Sequence, residues 1–111
     1  MSVQNLCDSV TLVVLPKEPQ IGEELKTVNE RTEGGCEGDV IVDFSGVDTI
    51  TSASLSNLLI LHKMLQERGR RLVLCSVSFL TKCIFTVSDL HKVFDFADTR
   101  SAALTKLGAS P

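Results

Sequence analysis

The stretch from Val40 to Leu55 constrains the fold of this chain more than any other. It begins with the apolar, largely β-branched run Val40–Phe44, passes through a short turn and continues into a helical pattern. Such a run is typical of a strand that is covered on both faces. Three hydroxyl side chains, Thr51, Ser52 and Ser54, lie where the helix begins. A helix N-terminus has unpaired N–H groups and a partial positive charge, so this is a favourable position for a phosphate.

The whole chain alternates between strand and helix patterns. Such an alternation predicts a largely parallel sheet with right-handed crossovers. We therefore predict an α/β fold with a mostly parallel or mixed sheet of about four to five strands, in one domain over residues 1–111. The predicted strands are Val10–Leu15, Val40–Phe44, Arg71–Ser76 and Val93–Phe96, and the predicted helices are Ile21–Asn29, Ser52–Gly69, one capped by Ser78 and one capped by Thr99.

Helical spacing also predicts how these helices face the core. The core face of the Ser52–Gly69 helix is predicted to hold Leu55, Leu58, Leu59, His62 and Leu65. In the helix that Ser78 caps, Leu80, Ile84 and Val87 share one side. His62 is expected to be a packed histidine, and His91 to lie on the surface or to face a partner.

Composition argues against several classes of function. The net charge of −3, the absence of Trp and Tyr and the scattered Lys and Arg residues lack the basic stripe of a nucleic-acid-binding protein. No apolar run reaches the length of a membrane span. Residues Met1–Asn5 lack the pattern of a signal peptide, so a cytoplasmic location is predicted.

The cysteines do not form a recognisable metal or disulfide motif. No Cys-x-x-Cys pair occurs, and His62 and His91 have no neighbouring cysteine motif, so no metal and no cofactor is expected. The Gly34–Gly38 segment precedes a strand instead of opening a helix and is predicted to be a solvated linker. All four cysteines are predicted to be reduced structural thiols: Cys7, Cys36, Cys75 and Cys83.

The hydroxyl cluster has ordinary structural interpretations as well. Ser52 could be the N-cap of its helix, with Ser54 as a first-turn surface residue. Asp43 and Asp48 could be solvated or turn-bonding carboxylates. A serine hydrolase would need a Gly-x-Ser-x-Gly elbow, whereas Ile50 and Ser54 occupy the flanking positions here, so no enzyme activity is predicted.

The order of elements and four segments resemble the STAS-domain anti-sigma factor antagonists of bacteria. Thr51-Ser52-Ala53-Ser54-Leu55 lies where that family usually has Asp-Ser-Ser/Thr-Gly-Leu. This chain therefore differs from the family at Thr51, Ala53 and Ser54. The other three matching segments are Val40–Val47, Arg70–Ser78 and Asp89–Phe94.

The resemblance implies a STAS-like fold and a regulatory role in transcription. Ser52 would be phosphorylated by an anti-sigma factor that is also a serine kinase, the unphosphorylated form would bind that partner, and a serine phosphatase would reset it. The open alternative is a STAS subunit that docks on a transporter or another regulatory assembly without phosphorylation. The partner-binding residues implied around Ser52 are Asp43, Ser45, Asp48, Thr51, Ala53 and Ser54.

Overall fold

Five strands form one sheet whose spatial order repeats their order along the chain. The computed structural model describes residues 2–7, 10–16, 20–33 and 38–108, with side chains over 10–16, 20–30 and 38–108. The first two strands pair antiparallel and all later pairs are parallel. The predicted α/β fold with a mixed sheet is confirmed. The strands are β1 (Ser2–Cys7), β2 (Val10–Val14), β3 (Asp39–Asp43), β4 (Leu72–Cys75) and β5 (Asp95–Ala97).

Helices alternate with the parallel strands, as predicted. Right-handed crossovers that always add the next strand on the same side place their helices on one face of the sheet. That face carries α1, α2 and α3, and the opposite face is left to α4, which follows the last strand. The helices are α1 (Gln20–Glu33), α2 (Ser52–Glu67), α3 (Phe79–Val87) and α4 (Arg100–Lys106).

The core has two layers, one on each face of the sheet. Under α1, α2 and α3 it contains β-strand side chains such as Val42 and Leu74 together with Phe44 and Phe85. On the other face, α4 covers a smaller cluster. That cluster contains Val10, Leu12, Ile41, Val73, Cys75, Ala103 and Leu104. Thus, among the described residues, this face of the sheet is covered mainly by α4, a helix of seven residues.

The core face of α2 is rotated from the predicted one. Its buried residues are Ser54, Leu58, Leu61 and Leu65, whereas Leu55, Leu59 and His62 are half-buried. The rotation arises because α1 packs along one side of α2, where Gly22 lies close to Ser54 and buries it. On the other side, the His62 ring meets Phe94 edge-to-face at 5.3 Å between centroids, which confirms a packed histidine.

α3 has a narrow buried side and a broad exposed apolar one. Of its nine residues, only Thr81 and Phe85 are buried. Phe85 contacts the rings of three other phenylalanines edge-to-face. Phe79, Leu80 and Val87 are 79%, 67% and 88% exposed. The side that Leu80 and Val87 share therefore does not face the core.

The last predicted strand begins later than expected. Leu90–Lys92 form a 3₁₀ turn, and the N–H groups of Val93 and Phe94 both donate to the Leu90 carbonyl. This hydrogen bonding keeps Val93 and Phe94 out of the sheet, so the strand is Asp95–Ala97. The Phe94 side chain is buried against Phe85.

The remaining predictions concern the thiols, a membrane-spanning helix and a metal site. Cys75 is buried and Cys83 half-buried, and both are free thiols. The side chains of Cys7 and Cys36 and most of the predicted Gly34–Gly38 linker lie outside the described residues. Within the described chain, none of the helices has the length and apolar character needed to cross a bilayer. The same residues contain no group of three or more potential metal ligands.

Candidate functional site

The connection from β3 to α2 is anchored by buried apolar residues that alternate with exposed polar ones. Phe44, Val47 and Ile50 are 0%, 3% and 6% exposed, whereas Ser45 and Asp48 are exposed. The Val47 N–H donates to the Phe44 carbonyl at 2.9 Å and closes a tight turn. Because the anchors hold this loop against the core, its polar residues are presented from a fixed backbone at the carboxyl edge of the sheet.

Thr51 is the residue that caps α2. Its backbone is extended, with φ −85° and ψ 164°, and its Oγ1 accepts a hydrogen bond from the Ser54 N–H at 3.2 Å. The Thr51 hydroxyl donates in turn to Ser54 Oγ at 3.1 Å. The interpretation of Ser52 as the N-cap is therefore wrong, because Ser52 is the first residue of the helix.

Ser54 faces another part of the same chain. It is 1% exposed, so it is not the first-turn surface residue that one interpretation predicted. A Cβ atom added at Gly22 of α1 would lie 3.5 Å from Ser54 Oγ, so the two helices approach closely here. Asn57 strengthens this contact by donating to the Gly22 carbonyl at 3.3 Å. Ser54 thus serves the α1–α2 contact and offers almost no surface to a partner.

Ser52 combines exposure with an uncommitted hydroxyl. Its side chain is exposed and makes no hydrogen bond to any residue in the described part of the chain. In a helix the first N–H groups have no partner within the helix, and the Thr51 hydroxyl accepts that of Ser54. The N–H groups of Ser52 and Ala53 therefore remain to interact with an anion at the positive end of the helix.

Asp43 ends β3 directly below this loop and is 2% exposed. Its Oδ1 accepts from the Ser45 backbone N–H at 2.7 Å, and its Oδ2 accepts from Arg100 Nε at 2.6 Å. Burial acts to raise the pKa of Asp43, but hydrogen bonds from the Ser45 N–H, the Arg100 guanidinium and the Ser45 hydroxyl outweigh it and hold that pKa below its ordinary value. Asp43 is thus an ionised internal group with little surface for a partner.

Arg100 is the residue of this site that sequence reasoning missed. It lies 57 positions from Asp43 and begins α4 on the other face of the sheet. One signal could have identified it: a cation in the first turn of a helix is unfavourable, because that end is already partially positive. Such a residue implies a nearby carboxylate, but the sequence alone does not indicate which one.

Cys75 occupies the position in β4 that pairs with Asp43 in β3. It is fully buried, and burial together with the neighbouring Asp43 carboxylate raises the pKa of its thiol to about 11. The thiol is therefore protonated at neutral pH and is a poor nucleophile.

The predicted site residues separate into an exposed group and a supporting group. The supporting group consists of Asp43 and Ser54, which are buried. Two clefts of about 390 and 240 Å³ occur elsewhere on the described chain, lined by residues such as Glu23 and Glu24 or Lys82 and His91. Their described linings include no residue of the predicted site. The exposed group consists of Ser45, Asp48, Thr51, Ser52 and Ala53.

Comparison with known proteins identifies a family. A family model described as the STAS domain matches residues 8–103. No curated protein sequence matches this chain.

Several solved structures share the fold over nearly the whole chain. An anti-sigma-factor antagonist (STAS) domain protein from Planctomyces limnophilus has a TM-score of 0.84 at 22% identity, and the match covers 97% of both chains. RsbS from Moorella thermoacetica, in a form with one serine replaced by glutamate, has a TM-score of 0.81 at 14% identity, over 96% of this chain and 93% of that chain. The anti-sigma factor antagonist SpoIIAA in its unphosphorylated form has a TM-score of 0.74 at 12% identity, over 98% of both chains. At these identities the likeness shows the fold.

Proposed function

Because this chain belongs to the STAS-domain family, we propose that it is an anti-sigma factor antagonist controlled by phosphorylation of Ser52. In its unphosphorylated form it binds an anti-sigma factor that is also a serine kinase, and so regulates sigma-factor-dependent transcription. A serine phosphatase restores the binding form. The protein acts by binding and not by catalysis, in the cytoplasm of a bacterium. The exposed residues Ser45, Asp48, Thr51, Ser52 and Ala53 form the surface that the partner contacts.

The state of Ser52 carries this proposal. Among the three hydroxyls at the start of α2, Thr51 is engaged in the helix cap and Ser54 is buried. Ser52 is exposed, and no described residue occupies its hydroxyl. A kinase can therefore reach the Ser52 oxygen without dismantling the helix cap. Two of the similar structures support a serine switch: one is described as unphosphorylated and another carries glutamate in place of a serine.

Phosphorylation at this position acts locally on the surface. A phosphoserine brings about −1.5 to −2 charges and three acceptor oxygens. At the first residue of α2 these oxygens interact favourably with free N–H groups and with the helix dipole, so the fold tolerates them. The partner instead meets a bulky dianion where it had packed on a small hydroxyl. Since about 1.4 kcal/mol is a tenfold change in affinity, the loss of a few contacts releases it.

Phosphate transfer tests the site directly. An anti-sigma kinase from the same organism, supplied with labelled ATP, should phosphorylate the wild type and leave Ser52→Ala unlabelled. Ser56→Ala is the matched control, because Ser56 is also exposed and lies one turn further along α2. Equal labelling of wild type and Ser52→Ala would show that Ser52 is not the acceptor.

Binding and stability together test the switch. Ser52→Glu should weaken binding to the kinase at least tenfold by calorimetry, whereas Ser56→Glu should change it less than threefold. Ser52→Glu should also raise the free energy of unfolding by about 0.3–1 kcal/mol, since a negative charge is favourable at a helix N-terminus. Binding that is unchanged by Ser52→Glu, with no phosphate transfer, would instead favour a STAS subunit that docks without phosphorylation.

A further inference from the structure

The buried carboxylate of Asp43 connects the two faces of the sheet. Asp43 Oδ1 accepts from the Ser45 N–H in the loop that leads to Ser52, and Asp43 Oδ2 accepts from Arg100 Nε at the start of α4. The loop leads into α2 on one face, and α4 packs on the other.

The two hydrogen bonds depend on each other through the burial of Asp43. A carboxylate that is 2% exposed must have its charge satisfied by the protein. When one partner is lost, the remaining partner alone must offset the desolvation of the carboxylate. Undocking of α4 exposes the carboxylate to water, and so becomes more favourable once the Ser45 N–H is lost.

We propose that Asp43 and Arg100 are a positioning pair that couples the Ser52 loop to the docking of α4. The inference rests on the proposed function in one respect: it takes the loop that leads to Ser52 as the regulated site. Reciprocity is required of such a coupling: a change in the loop alters α4, and a change in α4 alters the loop to the same extent. A partner that reshapes the loop would then loosen or tighten α4 on the far face.

Cys75 reports the docking of α4. Its thiol is fully buried in the cluster that contains Ala103 and Leu104 of α4. Alkylation of this thiol therefore requires α4 to move or the chain to unfold. The measurement uses a chain in which Cys7, Cys36 and Cys83 are replaced by serine, so that Cys75 is the only thiol.

Two substitutions at one position test the effect of the loop on α4. Ser45→Pro removes the N–H that Asp43 accepts, and proline is favoured at the second position of a turn such as Phe44–Val47. Ser45→Ala keeps that N–H and removes only the hydroxyl, which also hydrogen-bonds Asp43. We expect Ser45→Pro to speed Cys75 alkylation on the order of tenfold, the usual effect of losing a hydrogen bond to a charged group. Ser45→Ala, which keeps the N–H, should speed alkylation less than Ser45→Pro does.

Two arginines test the effect of α4 on the loop. Arg100→Gln removes the pair with Asp43, whereas Arg71→Gln removes a hydrogen bond from Arg71 to the Lys106 carbonyl at the other end of α4. The two side chains are equally exposed, at 48%. By hydrogen exchange, Arg100→Gln should speed exchange of the Ser45 amide on the order of tenfold, and Arg71→Gln should leave it within twofold.

Hydrogen exchange of the α2 amides, such as those of Leu58 and Leu61, reports global unfolding and so distinguishes it from local undocking of α4. If Ser45→Pro speeds Cys75 alkylation only as much as exchange of these core amides, the effect is global and the proposal is overturned. A Ser45→Pro alkylation rate within twofold of the parent chain would also overturn it. Neither measurement involves a kinase. The coupling can therefore be confirmed even if Ser52 is not the phosphoacceptor, and it can be overturned even if Ser52 is.

Discussion

Two of the helices that begin at the carboxyl edge of the sheet, α2 and α3, share one cap and differ in what the cap presents. In α2, Ser54 N–H donates to Thr51 Oγ1 at 3.2 Å and the two hydroxyls lie 3.1 Å apart. In α3, Thr81 N–H donates to Ser78 Oγ at 3.2 Å and the hydroxyls lie 3.0 Å apart. Ser54 and Thr81 are both buried. The cap is thus a repeated structural device.

The residues between the cap and its buried partner distinguish the two helices. α2 presents Ser52 and Ala53, whereas α3 presents Phe79 and Leu80, which are 79% and 67% exposed. The strands before them differ as well, since β3 ends in an ionised Asp43 and β4 in a protonated Cys75. The comparison teaches that a hydroxyl cluster at a helix start has to be divided by burial before a function is assigned to any of its members.

The largest expected effect concerns the buried side chains that hold α2 and α3 against the core. α2 buries four residues, but α3 relies on Thr81 and on Phe85 within its aromatic cluster. Phe85→Ala should lower the free energy of unfolding by about 3–5 kcal/mol in urea denaturation. Val87→Ala, at an 88% exposed position of the same helix, should stay within about 0.5 kcal/mol. A loss below 1 kcal/mol for Phe85→Ala would mean that α3 has another anchor.

The contributions to stability of the residues that end β3 and β4, Asp43 and Cys75, should respond differently to acid. Because the folded pKa of Asp43 lies below its ordinary value, its contribution is present near neutral pH and is lost as the pH falls through the folded pKa. Asp43→Asn should cost about 1–3 kcal/mol at pH 7, and the difference from wild type should shrink toward pH 3. Cys75→Ala should cost the same from pH 3 to pH 7, since over that range the thiol is protonated in both the folded and the unfolded chain. A pH-independent cost of Asp43→Asn would contradict the ionised assignment.

The shared cap predicts equal effects at its two positions. Thr51→Ala and Ser78→Ala should each lower the free energy of unfolding by about 1 kcal/mol, the usual value of an N-cap. The measurement is a thermal melt of each variant. Ser56→Ala, which lies outside the cap, should have almost no effect in it. A loss at Thr51 more than twice that at Ser78 would show that the cap of α2 has a further structural role.

The smallest expected effect on stability is that of Phe79→Ser. This change gives α3 the same first residue as α2, and we expect it to stay within about 0.5 kcal/mol of wild type because the side chain is so exposed. A kinase that phosphorylates Ser52 should leave the new serine unlabelled in a Ser52→Ala background. Labelling there would show that a capped helix start is sufficient for recognition, without the Ser45–Ile50 loop.

The local features of this fold could be predicted from sequence because they depend on neighbouring residues. The caps at Ser78 and Thr99 and the strand Val10–Val14 follow from short patterns. Gly69, with φ +71°, lies at the predicted end of α2. The strand β1 was not predicted, because its place in the sheet depends on pairing with β2 and not on an apolar pattern of its own.

The site could be located from sequence but not divided into its parts. The pattern indicated the Thr51–Ser54 cluster, whereas the burial of Ser54 depends on Gly22, which is distant in sequence. Similarly, the apolar residues of α3 occur on most sides of that helix, so spacing does not show that Phe85 is buried and Phe79 exposed. The Asp43–Arg100 pair joins residues 57 positions apart, and no local pattern encodes it.

The order of the strands has a consequence for how the chain assembles during synthesis. Because β1 to β5 are neighbours in the same order as they leave the ribosome, each new strand finds its partner already available at the edge of the sheet. No strand has to insert between two others, and every crossover joins adjacent units. Folding can therefore proceed from the N-terminus as the nascent chain emerges, and the face under α4 is the last to be covered.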